Sequence, residues 1–181
     1  FNFVATDSEY FDENHKLIRS KKDAENDLRR CYKNTKVKTI IGKQKVFKLK
    51  SGDNLNKELL GLKNKIKPDA VFIPWILDTH ADHRNLATSS LYVFKNIPNI
   101  LMYRINLNTN MPEFKRNFYV DISNFMSKKK KLISNFHSEN KRTKNKWLKM
   151  IEIMGKFDAL NSKAKYAESF EIIRIEDRFI L

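Results

Sequence analysis

Hydrophobic positions recur along this chain in two rhythms. "FNFVAT" at 1–6 is apolar enough for a buried strand, and the polar "DSEYFDENHK" after it reads as a loop. Residues 18–32 set Leu28, Cys31 and Tyr32 among charges, as on a surface helix. "VKTIIG" and "KVFKLK" read as short strands. Between 54 and 66, Leu55, Leu59, Leu62 and Ile66 fall at the spacing of an amphipathic helix, which Pro68 ends.

"DAVFIP" at 69–74 is the kind of run found in strands covered on both faces. The loop "WILDTHADH" follows. Residues 84–94 then read as a helix with Leu86, Ser90, Val93 and Phe94 inward. "NILMYRI" and "NFYVDI" read as strands, 123–136 and 143–157 as helices, the second with Trp147, Ile151 and Met154 on one side. "ESFEIIRI" reads as a last strand. This alternation predicts an α/β fold, a Rossmann-like, mostly parallel sheet with helices on both faces. Ligands of such sheets collect at the carboxyl ends of strands.

Composition narrows this picture. At 181 residues the expected organisation is one domain, 1–181, and 41% hydrophobic residues supply a core and exclude wholesale disorder. The longest apolar run, 70–77, is far shorter than the ~20 residues of a membrane-spanning helix, and the first residues lack the order of a secretory signal. The one cysteine, Cys31, excludes an internal disulfide and fits the inner face of a helix in a reducing, cytoplasmic compartment.

The formal charge is +15, from 36 Lys and Arg against 21 Asp and Glu. The lysines are spread along the whole chain. Their densest run, 127–146, carries Leu132, Ile133 and Phe136 at helical spacing, as a helix with a solvated lysine face would. With no nucleic-acid motif beside the charge, polyanion binding is disfavoured as the main function. The glycines form no phosphate-cradling fingerprint.

The chemistry concentrates in "DTHADH", 78–83, directly after the strand at 69–74. Two of the chain's four histidines stand here, with two aspartates. Imidazole and carboxylate are the ligands of catalytic zinc, which takes three protein groups and keeps a position for water. His80 and His83 supply two such groups, with Asp78 and Asp82 as ligands or supporting partners. A histidine off the metal can equally act as a general acid or stabilise an oxyanion, its tautomer fixed by a neighbouring aspartate. Spacing does not separate these roles. Each residue alone reads as a solvated histidine or a helix cap, but four together at a strand end read as a site. His15 and His137 have no such company.

"KPDAVFIPWILDTHADHR" resembles a signature of the LmbE-like, or PIG-L-like, N-acetylglucosamine deacetylases, in which Pro-Asp precedes a buried strand and His-Pro-Asp-His follows it. Four further segments are similar to that family in the same order: "FVATDSE", "KSGDNLNKEL", "VDISNFMSKKKKLISNFHSE" and "YAESFEIIRI". The resemblance implies a zinc-dependent hydrolase that removes the acetyl group from an N-acetylated amino sugar or its conjugate. It implies His83 as a ligand of zinc or another divalent metal. His80 would be the residue meeting the oxyanion or protonating the leaving amine, and Asp82 its orienting partner. Asp53, Trp75, Arg84 and Lys22 are the residues expected to line the sugar pocket. The basic balance suits a sugar bearing an anionic group. The alternative reading is a non-catalytic relative that keeps the fold and binds a sugar or a protein.

The chain departs from the family pattern in several places. Ala81 replaces the proline of the quartet, Glu139 stands where the family often has Gln, and Lys22 with Glu25 replaces an Arg-x-x-Glu pair. No His-Pro-Asp-Asp occurs, although that segment supplies the other metal ligands and the general base in the family. Because Phe1 opens what resembles the second strand, the expectation is that about thirty residues, one strand-loop-helix unit, lie upstream. The sheet would then lack its first strand in this chain.

Overall fold

The computed structural model describes residues 1–105 and 113–176. Along the chain the elements are β1 (Asn2–Thr6), β2 (Tyr10–Phe11), β3 (Leu17–Arg19), α1 (Lys21–Tyr32), β4 (Thr39–Gln44), α2 (Asp53–Ile66) and β5 (Ala70–Pro74). Then follow α3 (Ala81–Val93), β6 (Asn99–Tyr103), β7 (Phe118–Asp121), α4 (Met126–Ser134), α5 (His137–Arg142), α6 (Lys146–Ala159) and β8 (Ala167–Arg174). The fold is α/β, as the alternation predicts. The contacts divide it into two compact units: one is Phe1–Val46 with Val120–Glu168, the other Phe47–Tyr119 with the segment from Ser169 on.

In the first unit β1 and β4 pair in parallel, with Phe3 opposite Ile40 and Val4 opposite Ile41. At this pairing Gly42 is obligatory, since a Cβ there would lie 2.9 Å from the Ala5 carbonyl carbon and overlap its oxygen. Gly42→Ala is therefore expected to cost about 1–3 kcal/mol through a forced backbone shift, measured by denaturant unfolding. An unchanged midpoint would mean the two strands can part without cost.

Residues 7–16, read as a loop, contain part of a small antiparallel hairpin, β2 with β3. Helix α1 starts later than expected because Ser20 caps it: Ser20 Oγ accepts from Asp23 N–H and Asp23 accepts from Ser20 N–H, each at 3.1 Å. Of the expected Leu28, Cys31 and Tyr32, Leu28 and Cys31 are buried and Tyr32 is half-buried, while Ala24 joins the buried stripe. The core of this unit adds Ala5, Ile122, Met126, Ile151, Ala159 and Ala167.

A short helix not foreseen in the sequence, α5, carries Glu139. Its carboxylate accepts from Arg142 Nε at 2.9 Å and Trp147 Nε1 at 3.1 Å, with Arg19 Nη1 3.7 Å away. Burial pushes this carboxyl up, but the bonds and charge of Arg142, with Arg19 and Trp147 adding, hold it below the ordinary value. A depressed carboxylate stabilises the fold above its unfolded value of about 4.3 and loses that contribution as pH falls through the lower folded value. Glu139→Gln should lower the melting temperature at neutral pH and flatten the acid side of its pH profile. An acid limb identical to wild type would refute this assignment.

In the second unit the sheet order is β5-β6-β8-β7, with β5 parallel and β8 antiparallel to β6. This sheet is thus mixed, and the other described strands pair as β1 with β4 and β2 with β3. Strand β6 lies inside this order and buries Ile100, Leu101 and Met102. Strand β5 is at its end, so Phe72 is half exposed and meets Phe170 edge-on, instead of being covered on both faces. Helix α2 buries Leu55 and Leu59, and packs on α3, which buries Ala87, Ser90 and Val93. "KVFKLK", read as a strand, is a turn at Val46 and Phe47 followed by irregular chain.

Candidate active site

The parallel pairing of β5 with β6 continues one step beyond the strand, where Trp75 N–H donates to the Tyr103 carbonyl at 2.9 Å. The chain then leaves the sheet and turns into α3. Asp78, buried, closes this turn: its Oδ1 accepts from His80 N–H at 2.8 Å. Arg84 braces the same turn from the helix, its Nη1 donating to the carbonyls of Asp78 (2.7 Å) and Thr79 (2.8 Å). Asp82 and His83 lie in the first turn of α3 and not in the loop, so both side chains are held by helical backbone.

His80 is the N-cap of α3, and its Nδ1 accepts from Asp82 N–H at 3.2 Å. An accepting Nδ1 places the proton of the neutral ring on Nε2. Burial holds the His80 pKa below its ordinary value and the neighbouring His83 charge acts the same way, against the opposing pull of Asp82 and Asp78. The His80 and His83 rings stack with centroids 4.6 Å apart. His83 Nδ1 is 3.2 Å from Asp78 Oδ2, yet it is buried and makes no hydrogen bond.

The expected pairing of Asp82 with His80 takes an unexpected form. The contact is through the Asp82 backbone amide, while its buried carboxylate accepts from Phe47 N–H at 2.7 Å and Leu49 N–H at 3.2 Å. Asn85 secures the same segment, its Nδ2 donating to the Leu49 carbonyl at 2.8 Å. Phe47 has φ +61°, a left-handed conformation that costs a bulky residue about 1–3 kcal/mol. Its ring stacks on His80 at 5.0 Å and 18°. Neither Phe47 nor Leu49 could be found from the sequence. No local signal marks a phenylalanine for a left-handed turn, and their partner is 33–35 residues away along the chain.

The remaining expected residues are placed as follows. Trp75 is buried edge-on against Phe114, 5.7 Å between centroids, in the core of the second unit. Arg84 has its guanidinium engaged by loop carbonyls. Asp53 is exposed at the first position of α2, after Gly52. Lys22 is exposed on α1, in the first unit.

Three solved structures share this arrangement of elements. An N,N'-diacetylchitobiose deacetylase from Pyrococcus horikoshii, in complex with an inhibitor, superposes with a TM-score of 0.73 at 17% identity, over 99% of this chain and 76% of that one. The chain has the LmbE-like deacetylase fold. The A40926 pseudoaglycone deacetylase Dbv21 is similar at TM-score 0.72 and 9% identity, over 96% of this chain and 85% of its own. GalB, a 4-carboxy-2-hydroxymuconate hydratase from Pseudomonas putida, shares the fold at TM-score 0.67 and 11% identity, over 86% and 73%. No protein-family model and no curated protein sequence matches the chain.

Because this deacetylase fold also carries a hydratase, the donor set must be weighed on its own chemistry. His83 Nδ1 is a buried nitrogen without a hydrogen bond, beside a carboxylate oxygen of Asp78. In kind, nitrogen plus oxygen suits zinc or a similar divalent ion. In number, no group of three His, Cys, Asp or Glu side chains is arranged to hold a metal among the described residues. The residues therefore fit such an ion in part.

Proposed function

We propose that this protein is a metal-dependent N-deacetylase, hydrolysing the acetamide of an N-acetylated amino sugar or its conjugate to acetate and a free amine. The observation that carries this reading is the pair of stacked imidazoles, His80 and His83, braced by Asp78 and Asp82 at the carboxyl end of β5, within a fold whose solved examples include deacetylases. His83 would hold the ion through the nitrogen that lacks a hydrogen bond, with Asp78 beside it; no third such side chain completes the set among the described residues. A bound divalent ion supplies Lewis acidity and a water of lowered pKa.

The chain's own residues supply the rest. With Nδ1 accepting from Asp82 N–H, neutral His80 presents Nε2–H as a donor, suited to the acetamide oxygen as it gains negative charge. Burial lowers its pKa below the ordinary value and so favours the neutral ring, which donates this hydrogen bond without carrying a full charge. Arg84, fixed on two loop carbonyls, keeps the turn that bears His80 from shifting. An anionic sugar conjugate suits the net charge of +15.

The test is acetate release from N,N'-diacetylchitobiose and from N-acetylglucosamine conjugates, with and without chelator. Release that stops on chelation and returns with zinc supports the reading. Sugar binding without release by zinc-loaded protein would favour a non-catalytic binding module. Hydration of an enoic acid in place of amide hydrolysis would place the chain with the hydratase chemistry of this fold.

A further inference from the structure

Phe47 is an exposed phenylalanine, 59% accessible, in a backbone conformation that glycine or asparagine adopts with less strain. Water gains nothing from it and the turn does not need it. Two features hold it there. Its N–H is bound by the buried carboxylate of Asp82, which also binds Leu49 N–H, so the left-handed turn is tied to the first turn of α3. Its ring lies nearly parallel to His80, at 5.0 Å.

We infer that Phe47 is a positioning residue for His80, and that Asp82 acts on His80 through Phe47 instead of through its own carboxylate. His80 is then held by two stacked rings, Phe47 and His83, and by one amide on Nδ1. Together these fix the plane of the imidazole and the direction of Nε2–H. One residue sets the arrangement, because Asp82 gives His80 its amide from the backbone and clamps Phe47 with its side chain. A strained residue that persists against its own preference is a mark of a functional constraint, and the group it touches here is the expected hydrogen-bond donor. The catalytic consequence rests on the deacetylase reading, whereas the geometry does not.

Four full-length variants test this: Phe47→Gly, Phe47→Tyr, Asp82→Asn and, to assign the imidazole resonances, His80→Gln. In Phe47→Gly the His80 carbon-bound ring protons should move downfield as the stacked ring is lost, while the melting temperature holds or rises because glycine relieves the turn. Asp82→Asn should move the same resonances in the same direction, and Phe47→Tyr should leave them at wild-type positions. With an acetylated substrate, Phe47→Gly should lower kcat about tenfold or more and leave KM nearly unchanged, since a donor aimed poorly costs rate and not binding.

His80 resonances unmoved in Phe47→Gly, or moved only together with a fall in melting temperature, would overturn the proposal. So would an Asp82→Asn protein that folds and keeps the wild-type His80 spectrum. If Asp82→Asn does not fold, the glycine and tyrosine variants of Phe47 decide alone. A wild-type protein that releases no acetate from any substrate refutes the deacetylase reading, and the resonance shifts and melting temperatures then decide by themselves whether Phe47 positions His80.

Discussion

His83→Ala is expected to lower acetate release by more than about a hundredfold and to leave the fold intact. Substitution of groups that merely support a metal ligand costs about 10- to 100-fold in affinity or activity, and loss of a proposed ligand should exceed that. Little stability should go with it. His83 is a quarter exposed and its Nδ1 makes no hydrogen bond, so the buried group that loses a neighbour is the Asp78 carboxylate, 3.2 Å away, whose Oδ1 keeps its bond from His80 N–H. The unfolding free energy should stay within about 1 kcal/mol of wild type. The assay is acetate release alongside bound zinc per protein and the melting temperature. Full activity in a His83→Ala protein would remove His83 from the site, and a large drop in melting temperature would recast it as a structural residue. His80→Ala, by contrast, should retain metal and lose about 10²- to 10³-fold in rate, the range seen when one oxyanion donor is deleted.

Asp27→Ala is expected to destabilise the protein by about 3–5 kcal/mol, the range for breaking a buried ion pair from one side. Asp27 has no exposed side-chain surface, and its carboxylate accepts from Ser138 N–H at 3.1 and 3.3 Å, from Ser138 Oγ and from Arg30. Arg19 Nη2 stands 3.5 Å away with only 11% of its side chain exposed. Truncation would leave the Arg19 charge short of its buried counter-ion and the start of α5 without its acceptor. The cost is therefore mostly that of stranded groups, as expected when one partner of a buried polar cluster is lost. Asp27→Asn keeps one acceptor oxygen and should cost distinctly less. Urea unfolding of the two variants decides the matter. Equal and small losses would show that water replaces the carboxylate without penalty.

Most elements were legible in the pattern of apolar positions because their packing repeats the local rhythm. Leu55 and Leu59 of α2 are buried where the helical spacing places them, and Leu28 and Cys31 lie on the inner face of α1. The quartet at 78–83 was legible as a cluster of ligand-type side chains after a strand end, and the structure stacks its two imidazoles. Its internal wiring was not. The sequence places Asp82 two residues from His80 and suggests a carboxylate on the ring, but helix geometry points the Asp82 amide at Nδ1 and sends its carboxylate toward a segment 33–35 residues earlier. The burial of Trp75 was equally out of reach: its contact is Phe114, 39 positions further along the chain.

What the sequence determined by itself, then, was the α/β class, the positions of the long helices and most strands, and the concentration of imidazole and carboxylate after β5. These follow from periodicity and from residue chemistry, which act over a few positions. Tertiary structure alone decided that 45–50 is a turn and not a strand, that Phe47 adopts a left-handed conformation, and that Glu139 and Asp27 lie within one charged network. In each case the decisive partner is remote along the chain. Asp82 outweighs the strand propensity of "KVFKLK" by binding two of its backbone amides, a preference no reading of that segment alone contains.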